Sequence, residues 1–247
     1  MKFINFRNYS SMKFRYRIFS AVLLLLPLAA YSQRQKVKND SWYDEKVFHF
    51  GFCVGFNAMD FRVTPSQSAF AADSLFPEVT NLYPGLNIQV VTDYHPVPYL
   101  DIRFLPGVSF GQRKLMFYKD GSVYNDGQRM ESSFLEFPLL VKYKGTRLNN
   151  VRPYVVSGLN YRYDLAGKKE FDEDKAVYMR LRRSDLYYEV GAGLDFYLTF
   201  FKLTVEVRMS NGMRNILIND PAPGNPQYVN AIEKMKSQIW VLAFYFE

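Results

Sequence analysis

From Val47 to Asn57 the chain reads VFHFGFCVGFN, with Phe48, Phe50, Phe52, Val54 and Phe56 on every second position and His49, Gly51, Cys53, Gly55 and Asn57 between them. Successive side chains of an extended strand point to opposite faces, so a period of two predicts a β-strand with one bulky apolar face and one small or polar face. Seven further segments follow the same rule: 85–94, 100–111, 133–143, 152–165, 186–198, 201–210 and 238–247. The cleanest is FKLTVEVRMS (201–210), in which Phe201, Leu203, Val205, Val207 and Met209 alternate with Lys202, Thr204, Glu206, Arg208 and Ser210. In the last segment Trp240, Leu242, Phe244 and Phe246 share the apolar face. Pro138 removes a ladder donor from the fourth segment and weakens it as a strand.

The connections alternate in length. Segments 58–84, 112–132, 166–185 and 211–237 are long, whereas 95–99, 144–151 and 199–200 are short, so long and short loops fall at opposite ends of an up-and-down array. The link Thr199-Phe200 checks the register, because a two-residue hairpin pairs its flanking residues on one face. Those residues, Leu198 and Phe201, both belong to the apolar faces of their strands. The predicted fold is all-β: an eight-stranded antiparallel up-and-down barrel.

Alternation does not say which face is inside. A soluble barrel is apolar within, and a membrane barrel is apolar without. The polar face carries Asp93, Asp101, Glu136, Asp164, Glu189, Asp195 and Glu206 against Arg103, Lys142, Arg162, Lys202 and Arg208, set beside glycines. On an exterior this face would be oddly bare; inside a narrow barrel the charges can pair and fill the lumen, and pairing is what makes their burial tolerable. These residues form the candidate site, a structural charge network in a plugged lumen. Strands of about ten residues suit the thickness of the hydrocarbon layer. Tyr94, Tyr99, Tyr118, Tyr143, Tyr163, Phe196, Tyr197 and Phe200, near strand ends, resemble interfacial girdles. The expectation is a transmembrane barrel of the outer-membrane type, its long loops outside the cell, its termini periplasmic, and aromatic Phe246 near the end of the last strand.

The formal charge of +7 raises the question of nucleic acid. Residues 1–32 hold Lys2, Arg7, Lys13, Arg15 and Arg17 and no acid, so the charge falls to +2 without them. Nucleic acid is therefore not an expected partner. The same segment reads as a signal peptide: basic residues, the apolar run IFSAVLLLLPLAA (18–30), then Ala30 and Ser32 at the cleavage-defining positions. The run is too short for a good membrane helix. A cut after Ser32 follows, with Met12 as an alternative start to Met1, and export leads to the outer membrane. The expected domains are a signal peptide (1–32), a periplasmic leader (33–45) and a barrel domain (46–247). Cys53, the one cysteine, lies too deep in the mature chain to accept a lipid and has no internal disulfide partner; it reads as a small buried filler.

His49 and His95 are the chain's two histidines, and both map to the periplasmic end, away from the outer rim where a barrel enzyme would place its base. No catalytic residue is assigned and an enzyme is not expected. Two histidines and one cysteine do not make a first-row metal set. EFDEDK (170–175) lacks the glycine and terminal glutamate of an EF-hand loop, and no glycine-rich phosphate loop leads into a helix. Cofactor, metal and small-molecule substrate are all unexpected.

FLEFPLLVKYKG (134–145) followed by RPYVVSGLNYRYDL (152–165) resembles the paired-strand signature of the PorT-like outer-membrane barrels of Bacteroidetes. The signal ending in YSQ is similar to those of exported proteins in these bacteria. The resemblance implies a part in type IX protein secretion, supporting export of secreted proteases and surface proteins. Its implied partners are outer-membrane lipid and other components of that apparatus, and it brings no catalytic residues. The alternative is a generic small barrel, an adhesin or structural anchor whose outer loops bind a ligand or host surface.

Overall fold

A computed structural model describes residues 39, 43, 46–67, 75–119, 122–167, 179–220 and 226–247, with backbone alone at 80–82 and 125–129. The signal segment 1–32, most of the leader and EFDEDK (170–175) lie outside the described residues. The strands are β1 (Phe48–Pro65), β2 (Phe76–Leu82), β3 (Pro84–Val97), β4 (Leu100–Phe104), β5 (Gly107–Lys119), β6 (Ser122–Lys144), β7 (Val151–Asp164), β8 (Ser184–Tyr197), β9 (Lys202–Gly212) and β10 (Ile232–Phe246), with a one-turn helix α1 (Gln227–Asn230) before the last. All pairings are antiparallel, and β1 pairs with both β10 and β3, which closes the sheet into a barrel.

Two wall strands are interrupted. β4 and β5 keep one register against β6, with Phe104 opposite Leu139 and Gly107 opposite Glu136. Between them Leu105 N donates to Pro138 O at 3.1 Å, so Pro138 sits in the wall and still accepts. β2 and β3 are likewise separated by one residue, Tyr83, but their registers against β5 differ by one, with Leu82 opposite Arg113 and Leu86 opposite Phe110. With each interrupted pair taken as one, the ring is eight-stranded.

The bulky apolar face points outward. Phe48, Phe50, Phe52 and Phe56 are exposed while Cys53 and Asn57 are buried. Ile88, Phe104, Leu139, Leu159, Val190, Val207 and Leu242 continue the exposed belt around the barrel. Leu198 N donates to Phe201 O at 3.0 Å, closing the two-residue hairpin on the expected pair. Another tight turn, at Asn149-Asn150, joins Leu148 and Val151 by reciprocal backbone bonds of 2.8 and 3.0 Å. Asn149 takes φ 54, a left-handed conformation that asparagine tolerates better than most residues.

The strands run further than the periodicity predicted: 58–65, 76–84, 112–119 and 122–132, read as loop from sequence, are largely strand. The reason is an inversion of polarity. Beyond Ala58 the outward residues of β1 are Asp60, Arg62 and Thr64, and the inward ones are Met59, Phe61 and Val63. On β10, Lys234, Lys236 and Gln238 face outward above Trp240, while Met235 and Ile239 are buried. Ala58 pairs with Trp240, so the two strands invert side by side. Above that row the wall meets water and follows the rule of a soluble barrel, in which burial of apolar area drives packing. Phe61, Leu115, Phe117, Met130, Ile216 and Met235 form an apolar core there, joined by Tyr228 and Val229 of α1. The Phe117 and Tyr228 rings meet edge to face at 4.8 Å.

This arrangement makes outward positions unequal. Leu139→Arg, at mid-height of the belt, should lower stability by about 2–4 kcal/mol in denaturant titrations of the bilayer-folded protein, whereas Thr64→Arg, above the belt, should change it by under about 1 kcal/mol. Equal costs at both positions would place the hydrocarbon boundary elsewhere.

Candidate functional site

Inward positions recur at every second residue, so side chains from neighbouring strands meet in the lumen. Towards the end that carries the short turns, Arg103 of β4 donates to both carboxylate oxygens of Asp93 at 2.7 and 2.6 Å, and to Glu247 at 2.8 Å. Its guanidinium lies 4.5 Å from the centre of the Tyr245 ring. Lys142 of β6 donates to both oxygens of Asp195 at 2.9 Å, skipping over β7 to reach β8. The Thr204 hydroxyl donates to the same carboxylate at 2.6 Å.

At mid-height Glu206 accepts from the Tyr154 and Tyr245 hydroxyls at 2.6 and 2.7 Å. Arg208 stands 3.4 Å from it, and Arg103 reaches across the lumen to 3.9 Å. Gly193 makes this possible, because a Cβ there would lie 2.5 Å from atoms of the Tyr154 phenol. Higher up, Glu189 lies between Arg162 at 3.1 Å and Arg208 at 3.2 Å, and accepts from Asn160 at 2.9 Å and from Ser210. Arg162 also reaches Glu136 at 2.9 Å, a carboxylate that accepts from Gln89 at 2.7 Å and Ser109 at 2.5 Å. All these charged side chains are buried.

Two of the residues singled out from sequence stand apart from this centre. Asp101 pairs with Lys144 at 2.7 Å and His95 at 2.5 Å near the mouth at the short-turn end. Asp164 is buried at the upper end of β7, where its carboxylate accepts from the backbone N–H groups of Ser133 at 3.3 Å and Ala166 at 3.0 Å and so caps a strand end. Lys202 lies at the mouth, bonded to Glu247.

Sequence reasoning missed Tyr154, Tyr245, Glu247, Lys144 and Arg113, and also the buried Tyr187, whose ring centre lies 4.4 Å from the Arg162 guanidinium. A tyrosine counts as apolar in a period-two pattern, which hides its hydroxyl. Parity was the available signal: Tyr245 shares the inward face of β10 with the buried Val241 and Ala243, and Glu247 follows on that parity. Arg113 was hidden in a stretch read as loop. It donates to Ser237 at 2.8 Å and Ser132 at 2.6 Å and stacks 4.1 Å from the Phe61 ring centre, at the floor of the upper core.

The leader also enters the site. Tyr43 is buried at the mouth, stacked 3.8 Å from His49 and edge-on to Tyr197 at 5.7 Å. Its phenol accepts from Lys202 at 2.6 Å and donates to Glu247. Burial holds that phenol well above its ordinary pKa, so it stays a neutral donor. Burial alone would raise the Glu247 carboxyl, but the Lys202 and Arg103 cations beside it hold it well below the usual carboxylate range. Asn39 N donates to Asn150 Oδ1 at 2.8 Å, fastening the leader to the β6–β7 turn.

The chemistry of this arrangement is mutual neutralisation: alternating cations and carboxylates, bonded by hydroxyls and amides, fill the lumen, with an apolar core above and Tyr43 below. Among the described residues, no three His, Cys, Asp or Glu side chains converge as metal ligands. Glu189→Gln should strip Arg162 and Arg208 of a shared carboxylate and lower stability by about 3–5 kcal/mol. Asp164→Asn keeps an oxygen acceptor for its backbone partners and should cost about 1 kcal/mol. Denaturant unfolding in bilayers compares the two.

A family model described as "Outer membrane protein beta-barrel domain" matches residues 31–217. Among solved structures, the chain is similar to the outer membrane protein OprG from Pseudomonas aeruginosa, at 14% identity over 87% of this chain and 98% of that one, with a TM-score of 0.47. It is also similar to Neisserial surface protein A, at 13% identity over 81% of this chain and 99% of that one, with a TM-score of 0.41. No curated protein matches the chain.

Proposed function

The chain belongs to the outer membrane protein β-barrel domain family, and from that premise we propose that it is a non-conducting accessory component of protein export, a barrel of the PorT kind serving type IX secretion. Its place is the cell outer membrane. The observation that carries the reading is the filled lumen, in which Arg103, Lys142, Arg162 and Arg208 are tied to carboxylates on other strands. An eight-stranded barrel is just wide enough to hold its own side chains. It does not conduct a folded cargo, so its contribution to export is to dock or assemble a larger translocon. The two segments that resemble PorT-like barrels, 134–145 and 152–165, lie on the adjacent strands β6 and β7 and supply Glu136, Lys142 and Arg162 to the network. Other components of the type IX apparatus and outer-membrane lipid are the partners in this reading, and no enzymatic role is assigned.

A second reading is favoured by the outer extension. Strands that continue beyond the belt around their own apolar core make a rigid platform, suited to loops that bind a ligand or a host surface. Deleting the gene separates the two. On the secretion reading, cargo accumulates in the periplasm while permeability to small solutes is unchanged, and the purified protein shows no large single-channel conductance. Normal secretion after deletion would move the function to the outer loops.

A further inference from the structure

The outward face just above the apolar belt is not evenly charged. Arg62 of β1 stands directly opposite Lys236 of β10, and Thr64 opposite Lys234. Both Arg62 and Lys236 are exposed. Like charges directly opposite on a sheet repel; of the nearby acids Glu233 pairs with Lys234 at 2.9 Å, and Asp60, two residues before Arg62, accepts from the N–H of Phe61 at 2.7 Å. Among the described residues no carboxylate forms an ion pair with Arg62 or Lys236. Trp240, two outward positions below Lys236, marks the level where the wall changes from apolar to polar.

On the other side of β1 the same outward wall carries an open groove of about 700 Å³, lined at its base by Phe56, Leu86 and Phe110 and at its rim by Gln112, Glu131 and Ser133. Phe56, Leu86 and Phe110 are consecutive cross-strand partners. Along β1, Phe56 and Arg62 are roughly 20 Å apart at about 3.3 Å per residue. An acyl chain and its head group span a comparable length.

The geometry points to a lipid-binding site on the outer-leaflet wall. The phosphate of an anionic lipid bridges Arg62 and Lys236, and an acyl chain of that lipid lies against the groove beside Phe56. A phosphate relieves the Arg62–Lys236 repulsion and suits a planar guanidinium. The apolar groove below distinguishes a lipid from a free anion.

The test uses the full mature protein in phosphatidylcholine nanodiscs containing a minority of lipid A, a diphosphorylated glycolipid, with retained lipid read by native mass spectrometry. Wild type should retain lipid A in preference to phosphatidylcholine, and less so at high salt. Arg62→Gln with Lys236→Gln should weaken that retention on the order of tenfold, while Lys46→Gln, an exposed cation at the other end of the barrel, should leave it unchanged. Lys236→Glu supplies Arg62 with its own counter-charge, and should lose lipid A while the barrel stays as stable as wild type in pure phosphatidylcholine. Unchanged retention in the double variant, an equal loss in Lys46→Gln, or displacement of lipid A by millimolar inorganic phosphate would overturn the proposal.

Discussion

A guanidinium enclosed by a barrel wall that is itself surrounded by hydrocarbon has no water to turn to, so it must be neutralised by the protein. Arg103, Arg162 and Arg208 are all in that position, and each meets carboxylates from more than one strand: Asp93, Glu206 and Glu247 for the first, Glu136 and Glu189 for the second, Glu189 and Glu206 for the third. The backbone ladder closes the ring, and these ties fix it from within, because a strand that slipped by one residue would send its half of every pair into lipid. Other features serve the same requirement. Tyr154 and Tyr245 give Glu206 two donors, and Gly193 admits the Tyr154 phenol.

The position of the hydrocarbon layer decides the rest of the wall. Within it, the apolar belt faces out and the charges face in. Above it, at Ala58 and Trp240, the order reverses, and Phe61, Leu115 and Met235 form a core of the soluble kind. At the opposite end the leader brings Tyr43 back into the mouth, between Lys202 and Glu247. A lumen filled at the centre and covered at both ends directs the search for function to the outer surfaces. These are the short turns, the extension beyond the membrane, and the wall just above the apolar belt where Arg62 and Lys236 stand together.

The fold was legible because its signal is local and repeated. Phe48 to Phe56, Leu203 to Met209 and Trp240 to Phe246 keep one parity over the whole belt, and the Leu198–Phe201 hairpin ties two of the registers together. The signal failed where two environments meet on one strand. Residues 59–65 keep the alternation with its sign reversed, and the rule that apolar residues share one parity reads that reversal as the end of the strand. The site was legible to a similar extent. Parity placed Arg103, Glu136, Arg162, Glu189 and Glu206 inside, but it grouped Asp101 and Asp164 with them and passed over the tyrosines.

What the sequence by itself determined is the face on which each residue of the belt lies, since successive Cβ atoms of a strand alternate whatever the rest of the chain does. From the charges on one face and the aliphatic groups on the other, it also determined which side meets lipid. Which acid meets which base was decided by the tertiary structure alone. Lys142 reaches Asp195 past the intervening strand, Arg103 approaches Glu206 across the lumen, and Tyr43 finds Lys202 from a patternless leader. Those meetings depend on the barrel's diameter and stagger, which arise only when the sheet closes, and no local pattern along the chain encodes them.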